Sequence, residues 1–261
     1  MARSRWSPPA AGGSPRLAGV TPPLRRRQGA GVSDAILLAG TAPVIETAAM
    51  PQSSSANMVG GPGGERPGLP LILLAAGKST RMRGRDKLME DVDGQPLIRR
   101  QAQAALDAGL IAFVALPDAY HPRAQALGGL LHQPLFLPGS VEGLGGTIRD
   151  AVAALPACPS FLILAADLPG ITAADLRAMS EAEMGETLVL VATDARGNYG
   201  HPIRFDARLR PAFAALKGDE GARAVVRATR QRRPLPLPGD HATRDLDTPE
   251  DWAEWRAATP R

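Results

Sequence analysis

The chain has 261 residues, of which 44% are hydrophobic, enough for a large globular core. Its net charge of +4 belongs to the beginning of the chain, because seven arginines against three acidic residues precede residue 68 and the remainder is neutral. A basic surface for nucleic acid is therefore not expected, and no stretch approaches the roughly 20 apolar residues of a membrane span.

The beginning of the chain differs in composition from the rest. Residues 1–67 are rich in Pro, Gly, Ser, Ala and Arg without sustained periodicity, so we expect a disordered segment before one domain at 68–261. A leader peptide and a translation start at Met50 or Met58 are the alternatives. The single cysteine, Cys158, excludes an intramolecular disulfide or a cysteine zinc cluster and favours a cytoplasmic location.

The first predicted element is a buried strand at 69–74 that runs into a glycine-containing, cationic loop. Gly77 allows a close backbone turn, Ser79 offers a hydroxyl, and Arg81 and Lys87 offer charge to phosphate oxygens. The sequence therefore predicts a cradle for a nucleoside triphosphate.

Two better-known nucleotide motifs are excluded by single positions. Ile72 stands where a P-loop requires its first glycine. The stretch 143–148 lacks the last glycine of a dinucleotide fingerprint, because Ile148 holds that place.

After this loop, helical and strand-like runs alternate, which predicts an α/β fold with a mainly parallel sheet and helices on both faces. The segment 197–205 is expected to turn back into an antiparallel strand. The other predicted strands lie at 111–116, 135–137, 161–166 and 188–192. Helices are predicted at 96–108 and 122–131, and a third follows the glycine-rich stretch and ends at residue 154. Three more helices are predicted to begin after Thr172, Gly221 and Thr248.

Asp167 follows the strand at 161–166 and is the leading candidate for a metal ligand. A carboxylate at the carboxyl end of a buried parallel strand lies where open α/β sheets bind ligands, and Mg²⁺ prefers hard oxygen donors. A turn or N-cap aspartate is the alternative. Later in the chain, helix capping explains residues 248–251 but not Asp245 or Asp247.

Three further segments have both a functional and a plain structural interpretation. The glycine-rich turn at 143–147 leaves N–H groups free for a base or a phosphate, but it also begins a helix. His201, before Pro202, is either a pocket residue or an extended loop residue. Arg223 either meets an anionic substrate or is an exposed helix arginine.

Taken together, these motifs resemble the signature of the nucleotidyltransferases that activate sugars, isoprenoid precursors and molybdopterin. The order L-A-x-G-x-S-x-R-M, K, a glycine turn, D-x-P, G-H-P, G-D-x-G-A-R and D-x-D-T-P-E-D is present. The Ala-Ala-Gly at 75–77 and the Gly-His-Pro at 200–202 look most like the molybdenum cofactor cytidylyltransferase branch. One departure is Arg83, which lengthens the loop by one residue before Lys87.

The resemblance implies a Rossmann-like three-layer sandwich of the glycosyltransferase-A type that transfers CMP from CTP to molybdenum-bound molybdopterin. It implies Mg²⁺ on Asp167 and Asp247, and a molybdoenzyme or its maturation chaperone as a candidate protein partner. The implied catalytic residues are Arg81, Lys87 and Asp167, and the implied acceptor-binding residues are His201, Pro202 and Arg223. The implied nucleotide-binding residues are Leu74, Ala75, Ala76, Gly77, Ser79, Arg81, Lys87, Gly143, Gly145 and Thr147.

Other functions remain open at this point. A guanylyl enzyme for the same cofactor usually has Ala-Gly-Gly where this chain has Ala-Ala-Gly. A sugar or isoprenoid nucleotidyltransferase would lack the Gly-His-Pro element. A non-catalytic nucleotide-binding chaperone of molybdoenzymes is the furthest alternative, and the presence of Lys87 and Asp167 argues against it.

Overall fold

The computed structural model describes residues 68–258. The predicted disordered segment at 1–67 lies outside the described residues. In the part described, no helix is long and apolar enough to cross a membrane. The strands are β1 (Pro70–Leu74), β2 (Asp91–Val92), β3 (Gln95–Pro96), β4 (Ile111–Leu116), β5 (Gln133–Phe136), β6 (Ser160–Ala165), β7 (Val189–Thr193), β8 (Tyr199–Asp206) and β9 (Arg232–Pro236). The α-helices are α1 (Leu97–Asp107), α2 (Pro122–Ala126), α3 (Leu144–Ala154), α4 (Ala173–Glu181), α5 (Arg210–Phe213), α6 (Arg223–Ala228) and α7 (Pro249–Ala258).

Within residues 68–258, seven strands form one sheet in the order β5-β4-β1-β6-β8-β7-β9. Strand β1 pairs in parallel with β4 and with β6. Strand β8 is antiparallel to both β6 and β7, as the sequence predicts for the segment at 197–205. The predicted fold class, a mainly parallel sheet with an antiparallel strand, is confirmed.

Each face of the sheet is covered by a helical layer. Leu71 and Leu73 of β1 belong to the core cluster formed with α1, α4 and α7, whereas Ile72 belongs to the cluster formed with α3, α5 and α6. All three side chains are fully buried, which is why β1 is apolar without alternation. The two layers cover the faces of the sheet, and the carboxyl ends of β1 and β6 lie at the same edge.

Capping residues begin two helices as the sequence predicts. The Thr172 hydroxyl accepts from the Asp175 N–H at 3.2 Å and the Asp175 carboxylate accepts from the Thr172 N–H at 2.9 Å, a reciprocal capping box. Thr248 caps α7 in the same way through the Asp251 N–H. Asp175 also contacts His241 Nδ1 at 2.9 Å, so it joins α4 to the segment before residue 245.

One predicted helix needs correction, and one strand is absent from the prediction. The helix predicted at 122–131 ends at Ala126, because glycines at 128 and 129 follow and Gly129 takes a left-handed φ of 81°. Strand β9 was not predicted, since its two arginines and two prolines are typical of a solvated tail. It is an edge strand parallel to β7, a position that tolerates proline.

Candidate active site

A cavity of about 600 Å³ opens at the carboxyl ends of β1 and β6. Strand β1 leads into the loop at 75–87, which we call the phosphate loop, and β6 leads into the turn that carries Asp167. Because the two strands are parallel neighbours, the sheet brings both segments to one edge. The cavity lining includes eight residues predicted for the site, namely Leu74, Ala76, Gly77, Lys87, Gly143, Thr147, Asp167 and His201.

Two cations of the phosphate loop converge on two carboxylates. Lys87 Nζ lies 2.5 Å from Asp167 Oδ2 and 2.6 Å from Asp247 Oδ1, and Arg81 Nη1 contacts Asp247 Oδ2. Burial favours the neutral amine, yet the charges of the two carboxylates outweigh it and raise the pKa of Lys87. Lys87 is therefore a positive charge in the wall of the cavity.

The extra residue before Lys87 does not prevent this contact. Arg83 adopts a left-handed conformation with φ of 53°, and its exposed side chain pairs with Glu250 at 2.8 Å. The additional length is thus taken up in a surface turn before Gly84.

Three carboxylates form a group that could hold a metal ion. Oxygen atoms of Asp167, Asp245 and Asp247 all lie within 4.8 Å of one another. Asp167 Oδ1 is buried, and no described residue offers it a hydrogen-bond partner. Partial desolvation and the neighbouring charges of Asp167 and Asp247 raise the pKa of Asp245. A free, buried carboxylate oxygen within a group of acids fits a hard divalent cation.

Side chains from α1 hold the turn that follows Asp167. Gln101 Nε2 donates to the Leu168 carbonyl at 2.8 Å, and Arg100 Nη1 donates to the Pro169 carbonyl at 2.6 Å. The Leu246 N–H donates to the Asp167 carbonyl at 3.2 Å, which joins the two acidic segments directly. Sequence reasoning missed Arg100 and Gln101, because helical periodicity marks them only as part of α1.

The glycine turn is explained first by packing. A Cβ on Gly143 would lie 2.6 Å from Asp219 Oδ1, and one on Gly145 would lie 2.7 Å from the Lys217 carbonyl. The Gly145 N–H donates to the Gly218 carbonyl at 2.7 Å, and Thr147 Oγ1 donates to the Gly143 carbonyl at 3.0 Å. The turn therefore locks against the segment at 217–219 while Gly143 and Thr147 still line the cavity.

Residues predicted for the acceptor side occupy different positions. His201 lines the cavity, its N–H donates to the Ala242 carbonyl at 2.8 Å, and burial lowers the pKa of its ring. Pro202 is buried within β8, and Arg223 is exposed at the start of α6. Ala75, a predicted nucleotide-binding residue at the start of the phosphate loop, is fully buried. Of the three predicted acceptor residues, His201 thus lies at the cavity wall.

Known proteins resemble this chain over most of the described residues. The Bacillus subtilis "Purine catabolism protein PucB" is 28% identical over 199 residues, which cover 72% of this chain and 95% of that protein. A "Molybdenum cofactor guanylyltransferase" of Burkholderia ambifaria is 29% identical over 176 residues, 64% of this chain and 80% of that protein. Among solved structures, the manganese complex of Rv0371c from Mycobacterium tuberculosis superposes with a TM-score of 0.61 and 23% sequence identity. The match covers 74% of this chain and 100% of the Rv0371c chain.

Residues 71–234 match the "MobA-like NTP transferase domain" family. The chain belongs to the MobA-like NTP transferase domain family, and it is a nucleotidyltransferase.

Proposed function

We propose that the protein transfers CMP from CTP to molybdenum-bound molybdopterin, giving molybdopterin cytosine dinucleotide and pyrophosphate. The observation that carries the transferase chemistry is the convergence of Lys87 and Arg81 on Asp167 and Asp247. Loop cations beside two acidic segments suit a reaction in which a triphosphate and a metal meet at one sheet edge.

The acids fit Mg²⁺, and Asp167 and Asp247 would hold it. The main support is Asp167 Oδ1, which is buried and accepts no hydrogen bond from the described residues, since a buried oxygen without a hydrogen bond is costly. When bound, the ion supplies charge stabilisation for phosphate oxygens. The manganese complex of Rv0371c adds support from a protein of the same fold.

The reaction requires no side-chain nucleophile. A terminal phosphate oxygen of the pterin forms a bond to the α-phosphorus of CTP, and the bond from that phosphorus to the bridging oxygen breaks, its electron pair leaving with pyrophosphate. Arg81 and Lys87 would stabilise negative charge on the leaving group. The chain's own contribution is thus orientation and charge.

We assign the nucleotide to the side of the cavity formed by the phosphate loop and the glycine turn. The selectivity for CTP rests on Ala76, whose methyl group lines the cavity where a guanylyl enzyme usually has glycine. Steric exclusion of a larger competitor is an established way to discriminate related ligands. Ala76→Gly should therefore raise the use of GTP relative to CTP.

The acceptor is assigned to the opposite wall, next to His201. Pro202 and Arg223 stay part of the proposed acceptor side, because Pro202 follows His201 in β8 and the Arg223 charge acts on the His201 ring. Guanylyl transfer to the same acceptor is the second candidate, supported by the Burkholderia guanylyltransferase relative.

The test is product identification. The full-length protein is incubated with Mg²⁺, molybdenum-bound molybdopterin and each of the four nucleoside triphosphates in turn, and the products are identified by mass. We expect the cytosine dinucleotide and pyrophosphate, dependent on Mg²⁺. The guanine dinucleotide would reassign the base, and the lack of any dinucleotide would reject the proposed acceptor.

A further inference from the structure

Arg123 is a buried arginine that sequence reasoning did not single out. It lies in the short helix α2 and is 2% exposed. Among the described residues, its guanidinium makes five hydrogen bonds, all to the phosphate loop. The acceptors are Ala75 O at 2.6 Å, Gly77 O at 2.7 Å, Ser79 Oγ at 3.0 Å, Asp86 Oδ1 at 2.6 Å and Asp86 Oδ2 at 2.7 Å.

These contacts join the two ends of the loop. Ala75 and Gly77 stand at its beginning, and Asp86 directly precedes Lys87 at its end. The Asp86 carboxylate also accepts from the Leu88 N–H at 3.0 Å, so it fixes the backbone on both sides of Lys87. The planar guanidinium suits this task, because one rigid group can donate to acceptors at both ends of the loop at once.

The loop needs such support. Ser79 has a left-handed φ of 50°, a conformation that is unfavourable for a residue with a Cβ. Its hydroxyl is held between Arg123 and Asp86, to which it donates at 3.2 Å. Ser79, predicted as a nucleotide ligand, thus also helps to hold the loop.

We infer that Arg123 is a positioning residue that holds the phosphate loop in its nucleotide-binding shape before a nucleotide arrives. Its charge is already paired with Asp86, so it acts through the loop and not as a phosphate ligand. A preformed loop binds with less loss of conformational entropy, which lowers the nucleotide concentration needed for saturation. This inference rests on membership of the nucleotidyltransferase family and not on the choice of CTP.

The decisive variant is Arg123→Lys, which keeps the positive charge but loses the planar fork. Arg123→Ala and Asp86→Asn each break the ion pair between Arg123 and Asp86, the first by removing the cation and the second by removing the anion. Arg204→Lys is the matched control, because Arg204 also donates to several carbonyls, those of Met179, Ser180 and Ala182, at the end of α4 away from the cavity. Circular dichroism establishes which variants fold, and a non-folding Arg123→Ala leaves Arg123→Lys and Asp86→Asn to decide.

Two measurements are made on each folded variant. Amide hydrogen exchange is followed in peptides covering residues 76–88 and in peptides from the central strands. Affinity for each of the four Mg²⁺-nucleoside triphosphates is measured by calorimetry. A hydrogen bond to a charged group is worth about one order of magnitude in an equilibrium constant. We therefore expect Arg123→Lys and Asp86→Asn to bind nucleotide at least about tenfold more weakly than the wild type.

The expected pattern is local. In the Arg123 and Asp86 variants, exchange rises in the 76–88 peptides, and added nucleotide reverses this increase. Exchange in the central strands stays unchanged, and Arg204→Lys keeps wild-type affinity. The inference would be overturned if a folded Arg123→Lys variant showed wild-type exchange in the 76–88 peptides or wild-type nucleotide affinity. If the wild-type protein binds none of the nucleotides, the proposed function fails, and the exchange result alone still decides the role of Arg123.

Discussion

The phosphate loop and the glycine turn at 143–147 are both glycine-containing segments at one cavity, yet their glycines serve different purposes. A Cβ added to Gly77 would meet nothing within 4 Å, whereas one added to Gly145 would press against the Lys217 carbonyl at 2.7 Å. The loop is held by side-chain charges, through Asp86 and Arg123, and the turn by backbone contact. Changes in the loop should therefore affect binding and turnover, and changes in the turn should affect stability.

The largest effect is expected from the central charge of the loop. Lys87→Met removes the cation between Asp167 and Asp247, and we expect turnover to fall about 100- to 1,000-fold, the range found when one preorganised group that stabilises developing charge is removed. Steady-state kinetics at saturating nucleotide and Mg²⁺ provide the measurement. A fall of less than fivefold in a folded variant would show that the loop does not act through this charge.

The glycine turn should respond through stability. Gly145→Ala forces a methyl group against the segment at 217–219, and overpacking of this kind costs about 1–3 kcal/mol of unfolding free energy. Urea unfolding followed by circular dichroism provides the value. Wild-type stability in this variant would contradict the packing explanation of the turn.

The matching change in the loop should leave stability alone. Gly77→Ala adds a methyl group in open space on the cavity side, so we expect unfolding free energy within about 0.5 kcal/mol of wild type. Nucleotide affinity should fall, because the methyl group occupies the approach to the backbone. Equal effects of Gly77→Ala and Gly145→Ala on stability would remove the distinction between the two segments.

The smallest effect is expected from shortening the chain. If both segments belong to a domain at 68–261, a chain beginning at Glu65 should fold and bind nucleotide as the full-length protein does. Thermal unfolding and nucleotide titration of the two chains test this. A loss of folding or binding would show that the domain extends further toward the beginning of the chain.

The sequence predicted the parts of the site that depend on local order. An apolar strand before Gly77 and another before Asp167 place both loops at one sheet edge, and parallel pairing follows from the alternation of elements. Arg123 could not be found in this way, because its contacts join it to residues 37 to 48 positions away and α2 has no distinguishing pattern. The contact of Gln101 with the turn after Asp167 could not be predicted for the same reason, since a polar residue on a helix is ordinarily solvated.

The glycine turn shows a second limit of local patterns. Its density of glycine predicts either free N–H groups or a helix start, and the structure shows that the Gly145 N–H is bonded to the Gly218 carbonyl. Only the fold brings residues 217–219 against the turn, and no local pattern announces that contact. The turn remains a proposed nucleotide contact through Gly143 and Thr147, which line the cavity.

The most direct test of the account is the turnover of Asp167→Asn. This change keeps the shape of the side chain but removes the charge that the proposed cation would need, so we expect turnover to fall at least about 100-fold with the fold intact by circular dichroism. Asp107→Asn is the control, because Asp107 is an exposed carboxylate on α1 whose side chain accepts only from Gln103 among the described residues. Turnover of Asp167→Asn close to that of Asp107→Asn would remove Asp167 from the site and contradict the proposed metal-assisted transfer.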